Sequence, residues 1–388
     1  MLTPGDTLVI ARGEYRRFTW VGPRGRDQAP ITLFAEPGAT VRGVEGCERR
    51  ERRCRDAILI DLADHVIIDG LGATGATRAG LAIERSRAVT VRNGVFVDNG
   101  RWGIFSSFVD DLVIEHNQAA RSRTEHGIYA SNSGDRTVIR RNRVHDNRAC
   151  GIQINADWSV KNPEGGYPGQ VDGITTGAVI EGNVVFRNGR GGGAAINLDG
   201  VQDSTVRNNL LVANTASGIV AYGDEDGVED MNKEDGDGRQ GPRGMVIAHN
   251  TVVQEAGARA ALYLRYSVGP NVVRNNVLYH PDGPSILVGG DQDVAHLDSD
   301  HNLIGRVDVD GHATDGGLVD LGAWRARGVD LHSLAPDGSD LFAAAGCELT
   351  PAASSPLRDR GVAVDGGELD LRGRPRGSAP DLGALEAP

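Results

Sequence analysis

The amino-acid sequence predicts an all-β solenoid, one domain of short parallel strands coiled about a single axis, and two periodic markers carry that expectation. Seven asparagines, Asn117, Asn142, Asn183, Asn209, Asn250, Asn276 and Asn302, recur at spacings of 25 or 26 residues with two gaps of 41. Six follow a β-branched pair: Val113-Ile114, Val138-Ile139, Val179-Ile180, Thr205-Val206, Val246-Ile247 and Val272-Val273; before the last the pair is degraded to Leu297-Asp298. The second marker is a small residue followed by an apolar-x-apolar triplet, at Gly80-Leu81, Gly103-Ile104, Gly127-Ile128, Gly151-Ile152, Ala195-Ile196, Gly218-Ile219 and Ala261-Leu262. A period in the twenties made of β-branched triplets and turn residues is what stacked coils require.

The elements of each period follow in order. The small residue opens a first strand, whose alternation sends Ile128 and Ala130, Ile152 and Ile154, Ile196 and Leu198, Ile219 and Ala221, and Leu262 and Leu264 inward. The β-branched pair is the second strand, and the asparagine marks the turn to a third. Coils stack about 4.8 Å apart, so one residue type can stand over itself along the axis. Asparagine suits that position because it tolerates the left-handed conformation and its amide both donates and accepts. The two long gaps are one repeat plus an insertion, at about 157–177 and 223–244. The expected layout is a parallel β-helix over 1–304 with those two insertions, then terminal coils and a less regular C-terminal segment of the same domain over 305–388.

Composition agrees with many short strands joined by tight turns: 54 of the 388 residues are glycine and 39% are apolar. Lys161 and Lys233 are the only lysines among 41 basic residues, an arginine preference read as genomic bias. A net charge of -12 argues against a nucleic-acid partner. No apolar run is long enough to span a membrane, and no signal peptide is present. Of the four cysteines, Cys47 and Cys54 flank a Glu/Arg-rich loop and are spaced to close a small disulfide, which suits an oxidising compartment.

The asparagine row, with the repeat from Glu125-His126-Gly127-Ile128-Tyr129 through Val138-Ile139-Arg140-Arg141-Asn142, resembles the right-handed parallel β-helix superfamily of pectate-lyase-like, chondroitinase-B-like, polygalacturonase-like and mannuronan-epimerase-like enzymes. Leu2-Thr3-Pro4-Gly5-Asp6-Thr7 is similar to the first coils of chondroitinase-B-like proteins. Asp370-Leu371-Arg372-Gly373-Arg374-Pro375 and Pro380-Asp381-Leu382-Gly383-Ala384-Leu385-Glu386 are similar to the closing segment of secreted bacterial β-helices. The resemblance implies a single-stranded right-handed parallel β-helix of about ten coils with an Asn ladder. It also implies a secreted or periplasmic location, a polysaccharide or oligosaccharide partner and a monomer.

Residues between the inward ones must face out, in two columns. One reads Ala82, Phe105, Tyr129, Gln153, Asn197, Val220, Tyr263; the other reads Glu84, Ser107, Ser131, Asn155, Asp199, Tyr222, Arg265. Aromatic rings interleaved with amides and carboxylates fit a sugar chain, which offers apolar ring faces and hydroxyls. Tyr129, Gln153, Asn155, Asn197 and, on the first insertion, Trp158 are the expected substrate-binding residues. Tyr167 and Lys161 share that insertion, and both insertions leave the coil just after this face.

The expected activity is polysaccharide lyase, cleaving a uronic-acid-containing polymer by β-elimination. That chemistry needs a base for the proton beside the carboxylate, a cation for the enolate and an acid for the leaving oxygen. Asp199, Arg265, Tyr222, Tyr263, His126 and Lys161 are the expected catalytic residues. Asp157, Asp224 and Asp226 are the expected metal ligands, for Ca²⁺; Asp199 is a further calcium candidate, and a disordered acidic flap is the alternative reading of the second insertion. A glycoside hydrolase is the second expectation, because Asp199 with Asp157 or Asp224 falls roughly 8 Å apart, within the inverting range. A non-catalytic polysaccharide-binding or structural β-helix is the third. The polygalacturonase-like aspartates with Gly-His-Gly and the epimerase-like Asp-Pro-His-Asp are both absent.

Overall fold

The computed structural model describes residues 2–44, 47, 54–157, 167, 169, 171–223, 240–309, 317–343 and 349–387. Contacts divide the chain into an N-terminal unit, Met1–Ala178 with Arg190–Gly192, and a C-terminal unit, Val179–Gly189 with Gly193–Pro388. Each is built of stacked three-strand coils. Among the described residues six third strands stand in the N-terminal unit and five in the C-terminal unit.

One coil of the N-terminal unit shows the plan. Ile128–Ser131 is the first strand, Val138–Arg140 the second and Arg143–His145 the third. Each pairs in parallel with its counterpart one period earlier: Ile128 with Ile104, Ile139 with Ile114 and Val144 with Ala119. The expected inward residues are buried, Ile104, Ile114, Ile128, Ile139 and Val144 among them. In the C-terminal unit the same register joins Ile196, Ile219, Leu262 and Ile286 on first strands, and Ile180, Val206, Ile247 and Val273 on second strands.

The row asparagines are buried and bonded in sequence within each unit. Asn117 donates its backbone N–H to Asn142 Oδ1 at 2.9 Å, and Asn142 Nδ2 reaches back to the Ile114 carbonyl at 2.8 Å. The same two bonds recur from Asn183 through Asn209, Asn250 and Asn276 to Asn302. One expectation is corrected. The left-handed residue is the one before the row asparagine: His116, Arg141, Gly182, Asn208, His249, Asn275 and His301 all have φ between 54 and 64°. The bonded asparagine keeps ordinary backbone geometry, because its task is to place an amide inside the turn. A further set, not singled out by the sequence reading, lines the turn into the first strand: Asn99, Asn147 and Asn214 accept N–H bonds from Ala76, Ser122 and Asn188.

The C-terminal unit ends on Arg306–Val309, whose free edge is covered by Leu318–Asp320 running antiparallel. The closing segment then returns along the outside of the left-handed turns. His301 faces the Arg360 carbonyl, Asn275 exchanges bonds with Val362, and Asn208 donates to the Leu369 carbonyl. Leu357 and Leu382 are buried against Val277 and Leu303.

Candidate functional site

In the N-terminal unit the two expected columns are in register, Ala82–Phe105–Tyr129–Gln153 and Glu84–Ser107–Ser131–Asn155. The face is less open than expected. Ala82, Phe105 and Gln153 are buried, the first two in a cluster with Trp102 against which Leu59 and Tyr129 pack. Trp102, which the column argument missed, is only 6% exposed and stacks on Phe105 with centroids 4.3 Å apart; both rings lie 5.5 Å from Tyr129. Its signal was its place just before the small residue of the first strand, the position that also holds His126 and Cys150.

Arginines cap this aromatic group. Arg78 stands 5.1 Å from the Phe105 ring centroid and Arg101 4.4 Å from that of Trp102, both within cation–π range. Arg78 is itself buried and donates two bonds of 2.6 Å to Asp56 and one of 2.8 Å to Glu84. Burial disfavours its charge, but Asp56 and Glu84 outweigh that and hold its pKa above the ordinary value. Arg101 pairs with Glu125. Arg78, Arg101 and Glu125, with Arg55, Arg123 and Thr124, line a cleft of about 570 Å³.

His126 and Gln153 are placed for support. The Cys150 N–H donates to His126 Nδ1 at 3.1 Å, so the neutral ring carries its proton on Nε2 and has no open lone pair for base catalysis. Burial pushes its pKa down to about 4. Gln153 accepts from the Cys150 thiol at 3.2 Å. Tyr167, on the first insertion, is buried and donates to Asp110 Oδ1 at 2.6 Å, which anchors it to the coils. Asp157 is half-buried with φ of 49°. Trp158, Lys161, Asp224 and Asp226 lie outside the described residues, so the calcium expectation rests on sequence alone.

In the C-terminal unit the columns read Asn197–Val220–Tyr263–Leu287–Asp308 and Asp199–Tyr222–Arg265. Asp199 is 8% exposed and Asn197 is buried beside it, whereas Tyr222, Tyr263 and Arg265 are half-buried. Asn197 Nδ2 approaches the Tyr222 phenol oxygen at 3.4 Å. Tyr263 and Arg265, two residues apart on one face, line a cleft of about 620 Å³ with Arg259, Asp282, Leu287 and Leu318. Arg265 lies over the Tyr266 ring at 4.3 Å. Buried Asp293, on the short helix Asp291–Ala295, accepts the Ser267 N–H at 2.6 Å. Arg259, Asp282 and Leu318 escaped the sequence reading because none of them lies on a first strand.

The family model and the pectate lyase structure agree on architecture. A family model described as "Right handed beta helix region" matches residues 56–233. No curated protein matches the chain by sequence. Among solved structures, pectate lyase Pel9A is similar at a TM-score of 0.61 and 17% identity, covering 100% of this chain and 89% of its own. An alginate lyase from Paenibacillus sp. str. FPU-7 gives 0.48 and 19%, covering 74% and 88%. PfbA, a surface adhesin of Streptococcus pneumoniae, gives 0.44 and 11%, covering 78% and 80%.

Proposed function

We propose, for a chain that is a right-handed parallel β-helix, that it is an extracytoplasmic polysaccharide lyase acting on a uronic-acid-containing polymer. The observation that carries this reading is the cleft of about 620 Å³ in which Arg259, Tyr263 and Arg265 converge. A uronate bound there presents its carboxylate to the arginines, whose charge stabilises the enolate formed when the neighbouring carbon loses its proton. Tyr263 or Tyr222, as the phenolate, takes that proton, and the phenol so formed gives it to the leaving oxygen as the bond between that oxygen and the sugar carbon breaks to leave a double bond. Leu287 and Leu318 give the sugar ring an apolar bed. The Cys47–Cys54 disulfide, with Cα atoms 5.9 Å apart, supports an oxidising compartment.

The test is incubation with a panel of uronate polymers and neutral glycans, following ultraviolet absorbance and reducing ends together. Unsaturated product supports the lyase. Reducing ends without absorbance would replace it by the hydrolase, and retained binding with neither signal by a binding module.

A further inference from the structure

Repetition of the coil sets two histidines at the same point of consecutive turns. His301 precedes Asn302 and has φ of 54°. One turn later His332 precedes Ser333, whose hydroxyl accepts the Asn302 N–H at 2.8 Å in the place that an asparagine amide holds in earlier coils. The Leu334 N–H donates to the Asn302 carbonyl at 2.7 Å and fixes this alignment. The two imidazoles therefore stack, with centroids 5.2 Å apart and planes 15° from parallel.

Asp300 completes the group. Its Oδ1 accepts the His301 N–H at 2.9 Å and the His332 N–H at 2.7 Å, while its Oδ2 lies 2.7 Å from His332 Nδ1. His301 Nδ1 lies 3.1 Å from the Arg360 carbonyl, a contact only an N–H can make favourably, so Nε2 keeps its lone pair. A backbone carbonyl on the distal ring nitrogen is the support metal-binding imidazoles commonly have. One ligand atom from each of the three residues lies within 4.8 Å of the other two.

We propose that Asp300, His301 and His332 bind a divalent transition-metal cation of the zinc class. Two imidazoles and one carboxylate suit such an ion, whereas calcium takes six to eight oxygens, about twice the number of ligands offered here. The ion takes the place of the proton between Asp300 and His332 and ties the segment carrying His332 to the strand Leu297–Asp300. Three protein ligands leave a fourth position for water. His332 is exposed, so it can close the short remaining distance by rotating.

The test uses the tag-free full chain, stripped with chelator and titrated with Zn²⁺ by calorimetry, alongside thermal melts with Zn²⁺, Ca²⁺ or Mg²⁺. The expected result is one zinc per chain and a raised melting temperature that Mg²⁺ does not reproduce. His332→Ala, and separately His301→Ala, should weaken zinc binding at least about tenfold, and His116→Ala should leave it unchanged. His332→Ala removes an exposed side chain, and its metal-free melt checks that it folds. No zinc uptake at millimolar concentration, or unaltered affinity in both site variants, overturns the proposal.

Discussion

Arg265 and Gly289 face each other across successive first strands, and a Cβ built on Gly289 would stand 2.7 Å from Arg265 Cγ and 2.7 Å from Asp293 Oδ2. The arginine stem thus lies in the space that the missing side chain leaves. Gly289→Ala should push Arg265 off its place, and Arg265→Ala should remove its charge. On a substrate the parent chain cleaves, Arg265→Ala is expected to cut turnover at least about a hundredfold, the scale for a lost charge-stabilising group. Gly289→Ala should lower turnover by less without changing the far-ultraviolet spectrum. Steady-state kinetics on both variants checks this, and near-normal turnover in Arg265→Ala would place the chemistry elsewhere.

Asp199→Asn tests the buried end of the second column. If Asp199 acts on substrate directly, turnover falls by at least about a hundredfold while the melting temperature holds. A variant that melts early with unchanged turnover per folded molecule would assign Asp199 to the support of Tyr222.

Asn142→Ala removes the acceptor of the Asn117 N–H and the donor to the Ile114 carbonyl in one step. Both groups are buried, so the cost should be about 1 to 3 kcal/mol. Urea denaturation of the parent and the variant measures it, and equal midpoints would deny these bonds their structural role.

The pH dependence follows from two buried histidines. Burial, with Arg376 and Arg207 nearby, lowers the His249 pKa to about 3, and burial lowers that of His126 to about 4. Both are neutral when folded, whereas the unfolded chain protonates them near pH 6.5. The unfolded state therefore binds more protons between about pH 6.5 and 4, and each histidine takes away up to about 1.4 kcal/mol per pH unit across that window as pH falls. Melts at pH 7, 6 and 5 should show the decline, and His249→Gln should make it shallower. A slope unchanged in that variant would locate the titration elsewhere.

The acidic insertion gives the last test. If residues 224–237 bind Ca²⁺, the ion should raise the melting temperature and chelator lower it by mass action, in the parent and in His332→Ala alike. A calcium response lost only when the insertion is deleted assigns the ion to those residues.

The repeat by itself determined the coil. A strand in a stacked solenoid meets nearly the same neighbours in every turn, so inward Ile128 and Ile152, the asparagine row and the outward columns each leave a period in the sequence. Tertiary structure decided what a period cannot carry. Trp102 closes over Phe105 of its own strand and both rings meet Tyr129 of the next coil, and the bond from the Cys150 N–H settles the tautomer of His126. Arg259 and Asp282 join Tyr263 and Arg265 from the turns that lead into first strands, and Asp293 approaches the Arg265 stem from a short helix. Those positions depend on chain segments meeting once, at distances no spacing encodes. The sequence alone therefore fixed which strand faces outward, and only folding decided which outward side chains were covered and which were left lining a cleft.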